Sequence, residues 1–269
     1  MSLHDAYARL TPFELLFADP AEAEALWARV SEESAGRGAD VHDPHAFVTM
    51  GTVTDFIRRV EGEDAPDEAI LQYGSLAFHA LHQAKAGVPV FLLSAHAARY
   101  LVEGAPAGQP TPPRPAGYLQ LPRHLFWLAD GAGVPQSVDG VFWKVSSRQG
   151  TELLHTLVAT ALRTDRTGMG VVPLPQAPLT DAPGWLDADV RGDGADFTTD
   201  MPGAEIDGLY AFQTAGEVLK LLARFFAYAA ALPDALETRR PPGAAAPPEA
   251  GAEGPEPSTL PYVRVNLQD

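Results

Sequence analysis

Residues 118–146, YLQLPRHLFWLADGAGVPQSVDGVFWKVS, are dense in aromatic and β-branched side chains. They predict two strands, residues 125–129 and 138–146, because such side chains pack well on a pleated, half-buried surface. The Asp- and Gly-rich residues 130–133 between them are typical of a turn. Two of the four Trp residues of the chain lie in this stretch. We therefore expect the sheet and the core to meet here.

The first hundred residues predict helices. Pro12 and Pro20 each follow a capping residue, Thr11 and Asp19, which is the pattern of a helix start. Residues 66–86 carry apolar side chains at three- and four-residue spacing, which indicates a longer amphipathic helix. The N-terminal part is therefore predicted to be a helical layer.

The rest of the chain alternates strand and helix signals. Strands are predicted at residues 88–93, 153–163, 169–174 and 262–267, and helices at residues 95–102 and 209–232. Residues 165–168 suit a hairpin turn, and the Pro-rich residues 104–115 cannot hold a helix. Together these elements predict an α+β fold: an N-terminal helical layer, a mostly antiparallel sheet in the middle, a long apolar helix packed on the sheet, and a C-terminal strand.

The predicted organisation follows the composition along the chain. Residues 1–103 form a helical part, and residues 116–235 form the sheet with its covering helix, as one fold with the first part. Residues 241–258 are rich in Pro, Ala, Gly and Glu, which is typical of a flexible linker. Residues 260–269 return as the C-terminal strand.

Charge and cysteine content exclude several functional classes. The chain of 269 residues has 35 acidic and 19 basic residues and a net charge of −16, which disfavours generic nucleic-acid binding. It has no cysteine, so disulfide scaffolds, zinc–thiolate sites and Cys nucleophiles are excluded. The N-terminal sequence shows no secretory signal, and the apolar residues 209–232 include three charged side chains. We expect a cytoplasmic protein that does not span a membrane.

Histidines and acidic residues offer weak metal-binding patterns. His42 with His45, and His79 with His82, have spacings that occur in zinc sites, but each pair supplies too few ligands. Residues 187–198 resemble a calcium loop, but the fifth position is Arg191 rather than an oxygen ligand and the twelfth is Thr198 rather than a bidentate Glu. We therefore predict no metal and no cofactor.

The sequence contains none of the common catalytic motifs for hydrolases, nucleotide-binding enzymes or zinc proteases. Ser146, Ser147 and His155 are of the types used as nucleophile and base, but nothing in the sequence brings them together. The protein is therefore predicted not to be an enzyme. A metal-dependent hydrolase with its site in the acidic residues 181–207, or a structural assembly protein, are the alternatives.

The aromatic strands are the candidate binding surface. Neighbouring residues of a strand point to opposite faces, so one member of each aromatic pair can face the core while the other faces a partner. Both faces can also be covered, since aromatic side chains are mostly packing residues. The predicted peptide-binding residues are Leu121, Pro122, Phe126, Trp127, Phe142 and Trp143.

Six short blocks occur in a suggestive order: SLAFHALHQAKAG, VPVFLLSAHAARYL, LQLPRHLFWL, DGVFWKV, VVPLPQAPL and LLARFFAYAAALPD. In this order, over residues 69–234, the chain resembles a type V-A anti-CRISPR family of bacteria and phages. Members of that family act against biosynthesis of the effector nuclease by recognising its nascent N-terminal peptide. The resemblance implies a non-catalytic protein whose partner is a protein or a nascent peptide. Residues 241–257 are acidic where the family has a basic tail.

Overall fold

The architecture is that of the computed structural model of the chain, which describes residues 7–17, 19–104, 108–123, 125–129, 135–160, 170–174, 176–182, 211–241 and 256–267. The helices are α1 (Pro12–Leu16), α2 (Pro20–Arg37), α3 (Pro44–Val48), α4 (Gly51–Glu61), α5 (Asp67–Lys85), α6 (Ala95–Glu103) and α7 (Ala211–Ala231). The strands are β1 (Val90–Leu93), β2 (Ala116–Gln120), β3 (Trp127–Ala129), β4 (Pro135–Arg148), β5 (Thr151–Thr160), β6 (Val171–Pro173), β7 (Ala177–Pro178), β8 (Leu236–Arg239) and β9 (Tyr262–Val265). The predicted α+β class is confirmed.

Local capping explains where the first helices begin and end. Thr11 and Glu14 form a reciprocal capping box at the start of α1, and the Asp19 side chain accepts a hydrogen bond from the Ala21 N–H at the start of α2. Helix α2 ends at Gly38, whose φ of 62° lies in the left-handed region that glycine adopts without strain. Both predicted helix starts are therefore confirmed.

The nine described strands form one sheet in the order β6-β5-β4-β2-β1-β9-β8, with β3 paired to β4 and β7 paired to β5. Strand β1 pairs in parallel with both β2 and β9, and the remaining pairs are antiparallel. The sheet is thus mostly antiparallel, as predicted. The C-terminal strand β9 lies between β1 and β8.

Successive side chains of each strand point to opposite faces of the sheet, so the core has two halves. Tyr118 and Phe142 face α1–α5, whereas Leu119, Val141 and Trp143 face α6 and α7. Helix α7 covers its face with a buried apolar side, as predicted for residues 209–232. Each face of the sheet is therefore covered by its own set of helices.

The observed elements differ from the predicted ones in a few places. Strand β8 was not predicted, because LETR is a polar and largely exposed strand with no apolar alternation. The predicted strand at residues 153–163 is described as β5 to Thr160, and the hairpin turn at residues 165–168 lies outside the described residues. The predicted flexible linker is also outside them between residues 242 and 255. The predicted division of the chain into residues 1–103, 116–235, 241–258 and 260–269 stays a prediction.

None of the helices described above combines the length and the hydropathy that crossing a membrane requires.

A candidate ligand groove lined by histidines

Two adjoining cavities lie between the N-terminal helices and the β4–β5 hairpin. The smaller, of about 180 Å³, is lined mainly by polar side chains, including Asp40, Asp43, Ser146 and Arg148. The larger, of about 380 Å³, is lined by both apolar and polar side chains: Pro44, His45, Val48, Ser75, Phe78, His79, His155, Thr156, Pro173, Leu174 and Gln176. They share Pro44, His155 and Gln176. We call the two cavities together the histidine groove.

Two helices and one β-hairpin bring the groove residues together. Asp43 caps α3 by accepting a hydrogen bond from the His45 N–H at 2.9 Å, and Pro44 supplies the first helical position. Helix α5 contributes Phe78 and His79. Strands β4 and β5 contribute side chains on the face that also carries Phe142, because alternate residues of a strand share a face. The groove therefore depends on contacts between segments far apart in the sequence.

Hydrogen bonds fix the orientation of the imidazole rings. His82 Nδ1 lies 2.8 Å from the carbonyl oxygen of Phe78, which can only accept, so Nδ1 carries the proton. The neutral ring then accepts at Nε2, which lies 2.9 Å from Nδ1 of His42, the donor of that pair. On the hairpin, Ser146 Oγ lies 2.7 Å from His155 Nε2.

Burial keeps these histidines neutral. It lowers the pKa of His82 to about 3 and that of His155 to about 4, and the positive charge of Lys144 adds to the lowering in both. Burial, followed by the neighbouring His82 and His155, holds the pKa of His79 well below its usual value of 6.5. At neutral pH the groove therefore presents uncharged rings that can donate or accept hydrogen bonds.

His79 has an unused hydrogen-bonding position. The residue is 4% exposed and lines the larger cavity. Its Nδ1 atom is buried and has no hydrogen-bond partner within the described part of the chain. Buried polar atoms are nearly always paired in folded proteins, so this nitrogen is a position that a ligand atom can satisfy.

The geometry bears on the metal and catalytic patterns of the sequence. His42 and His82 are brought into contact, yet the residues that the structure describes contain no group of three or more His, Asp or Glu able to hold a metal ion. Ser146 and His155 are also brought together. Across the described ranges, however, no carboxylate hydrogen-bonds the ring of His155, so the pair lacks the third group that orients a catalytic base. The calcium-like residues 187–198 lie outside the described part.

The six predicted peptide-binding residues divide by burial. Leu121, Pro122, Phe142 and Trp143 are buried, whereas Phe126 and Trp127 are half-buried. Trp143 packs against Phe91, Phe225 and Phe226, and its indole Nε1 donates a hydrogen bond to the Arg114 carbonyl oxygen at 2.9 Å. Phe142 packs against Tyr118 and His79. Both aromatic residues of β4 therefore have a packing role, and peptide binding by the six residues stays a prediction.

Sequence reasoning did not identify the groove as a site. The sequence suggests Ser146 with His155 as a nucleophile and base, and His79 with His82 as a metal-binding pair, but His155 meets Ser146 only through the register of the β4–β5 hairpin. The one local signal is the Gln149–Gly150 turn, where both residues have positive φ, which sets that register.

The comparisons with known proteins include a weak likeness to a solved structure. No known family matches the sequence, and no curated protein matches it. Among solved structures, the chain is similar to one described as "Crystal structure of AcrVA2", with a TM-score of 0.38 and 11% identity over 93% of this chain and 81% of that chain. The protein is thus a weak structural neighbour of that chain. A likeness this weak does not show that the protein recognises a peptide.

Proposed function

We propose that this protein is a non-catalytic binding protein whose histidine groove holds a short segment of a partner protein. The observation that supports this most directly is the larger cavity of about 380 Å³, in which apolar side chains surround a few fixed polar atoms. Cavities of this size and lining are the usual places for a bound group. The unpartnered Nδ1 of His79 offers that group a hydrogen bond.

The charges around the groove favour one kind of segment. The described lining of the larger cavity contains no Lys or Arg, and its buried histidines are neutral, so it suits an apolar side chain. Among the charged residues that line the smaller cavity, Asp40 and Asp43 outnumber Arg148, and the whole chain carries a net charge of −16. We therefore propose a segment with an apolar anchor next to a basic residue, since opposite charge favours such a partner.

The groove lies beside the aromatic strand of the sequence-based prediction. Ser146, Ser147 and Arg148 at the end of β4 line the smaller cavity. The order of the sequence blocks extends the proposal to an anti-CRISPR-like role in the cytoplasm, with the nascent peptide of an effector nuclease as the segment. The half-buried Phe126 and Trp127 are the alternative contact surface within the same proposal.

The experiment compares captured partners across matched variants. Tagged wild-type protein, Val48→Arg, Val102→Arg and Trp127→Ala are used to capture proteins from a lysate, and the affinity of the captured segment is then measured with a synthetic peptide. Val48 is half-buried and lines the larger cavity. Val102, on α6, is 39% exposed and lies outside the groove, so it controls for adding a charge.

We expect Val48→Arg to weaken binding by roughly a hundredfold, because it places a charge in an apolar pocket, while Val102→Arg binds like the wild type. Circular dichroism confirms that each variant is folded. If Val48→Arg retains full affinity and Trp127→Ala loses it, the proposal that the groove binds the segment is wrong, and the aromatic strand is the binding site.

A further inference from the structure

A second polar cluster lies at the opposite end of β4 and centres on Arg9. This residue is 2% exposed, and its guanidinium donates from Nε and Nη2 to Asp139 Oδ1 at 3.1 and 2.9 Å. Nη2 also donates to the Leu121 carbonyl oxygen at 2.7 Å. The third nitrogen, Nη1, is buried and has no partner within the described residues.

The carboxylate of Asp139 has little capacity left for another cation. Its Oδ1 atom already accepts from Arg9, while Oδ2 accepts from the Tyr118 hydroxyl at 2.5 Å and from Gln120 Nε2 at 3.1 Å. A carboxylate offers about four lone-pair positions, and these four contacts use them. Asp139 therefore neutralises one guanidinium and no more.

Arg123 follows Leu121 by two residues, and the Leu121 carbonyl oxygen accepts from Arg9, so Arg123 adds a second guanidinium to this part of the molecule. It is half-buried, and its Nε atom is enclosed without a hydrogen-bond partner among the described residues. Burial, followed by the positive charge of Arg9, lowers the pKa of Arg123, whereas the charges of Asp139 and Tyr7 act in the opposite direction. The ion pair of Asp139 is with Arg9, so the positive charge of Arg123 has no ion-pair partner among the described residues.

We infer that Arg9 and Arg123 together form a binding site for a carboxylate. Leaving a charged donor buried and unpaired is costly, and an anion with two oxygen atoms satisfies both unused donors through charge-assisted hydrogen bonds. Guanidinium groups suit this geometry because their planar fork matches a carboxylate. The carboxylate belongs either to a small organic acid or to an acidic side chain of a partner.

This site is separate from the histidine groove. Asp139 and Ser146 are seven residues apart on β4, which is roughly 23 Å along a strand. The inference therefore does not depend on the proposed function. The inferred carboxylate site does lie near Phe126 and Trp127, which follow Arg123 closely in the chain.

The test measures carboxylate binding by thermal shift and calorimetry. Sodium acetate and the peptide acetyl-Gly-Asp-Gly-amide are titrated at pH 7, with sodium chloride at matched ionic strength as the reference. The proteins are the wild type, Arg123→Gln and Arg29→Gln. Arg29 is an exposed arginine on α2, outside both cavities of the histidine groove, and serves as the matched control.

We expect the wild type and Arg29→Gln to be stabilised by acetate or peptide beyond chloride, and Arg123→Gln to lose at least about tenfold in affinity. Peptide binding that is much tighter than acetate binding identifies a protein side chain as the source, and equal binding identifies a small acid. An equal response from Arg123→Gln, or no response beyond chloride in the wild type, overturns the inference. Because Arg123 is half-buried, circular dichroism in chloride checks that its variant is folded.

Discussion

The two faces of the sheet bury different kinds of side chain. The face under α6 and α7 is packed by aromatic rings, with Phe91, Trp143 and Phe225 in mutual contact. The face under α1–α5 also buries His79, His82, His155, Gln120 and Asp139, among other polar residues. A face packed with apolar side chains can stabilise a fold without any specific chemistry. Burying polar groups costs stability unless they are hydrogen-bonded, and both proposed sites lie on this polar face.

The largest expected effect comes from breaking the aromatic face. Trp143→Ala removes a fully buried ring that contacts three aromatic neighbours and lies so close to β2 that a Cβ on Gly117 would come within 2.6 Å of it. We expect a loss of about 3–5 kcal/mol in the free energy of unfolding, measured by urea denaturation. Trp127→Ala, at a half-buried position, is the matched control with a smaller loss. Equal losses for the two variants would contradict the larger packing contribution assigned to the buried ring of Trp143.

The histidines of the polar face are expected to make the folded protein less stable as the pH falls. The folded-state pKa values of His82, about 3, and His155, about 4, lie below the value of 6.5. Between those values the unfolded chain binds more protons than the folded chain, so stability decreases as the pH falls from about 6.5 towards 4. Each histidine contributes at most roughly 1.4 kcal/mol per pH unit. Urea midpoints at pH 7, 6 and 5 measure this slope.

A histidine variant separates this effect from general acid sensitivity. His155→Gln should make the decrease between pH 7 and pH 5 shallower, because one titrating group has been removed from the polar face. His96→Gln, at an exposed position on α6, should leave the slope unchanged. Identical slopes for the wild type and His155→Gln would show that burial does not control this ring.

The smallest expected effect concerns a single charge on the polar face. Lys144 is 9% exposed, and its positive charge is the second cause, after burial, of the low pKa of His155. Lys144→Met should raise the pKa of His155 from about 4 without restoring 6.5, since burial remains the larger cause. Proton NMR titration of the imidazole signals measures the change. A lower pKa of His155 in the variant would contradict the lowering effect assigned to the charge of Lys144.

Much of the fold could be predicted because its signals are local. The capping residues Thr11 and Asp19 fix two helix starts, and the apolar run in α7 marks the covering helix. The pairs Phe126-Trp127 and Phe142-Trp143 look alike in sequence. Their different burial follows from their strands, since β4 is central in the sheet whereas β3 is a three-residue strand paired with β4.

The candidate sites could not be predicted for a related reason. The histidine groove joins α3, α5 and the β4–β5 hairpin, and the carboxylate site joins Arg9 to Asp139 and Arg123. No local pattern links residues more than a hundred positions apart. Only the strand register and the packing of the helices bring these side chains together.

The place of β9 in the sheet has a consequence for the order of folding. Strand β9 pairs with β1, from which it is separated by about 170 residues, and β8 pairs only with β9 among the described strands. During synthesis, β1 and β2 leave the ribosome long before β9 exists. One edge of β1 therefore stays open until β9 emerges, and the sheet is completed at an interior position. Such long-range pairing slows folding and exposes that edge to other chains in the meantime.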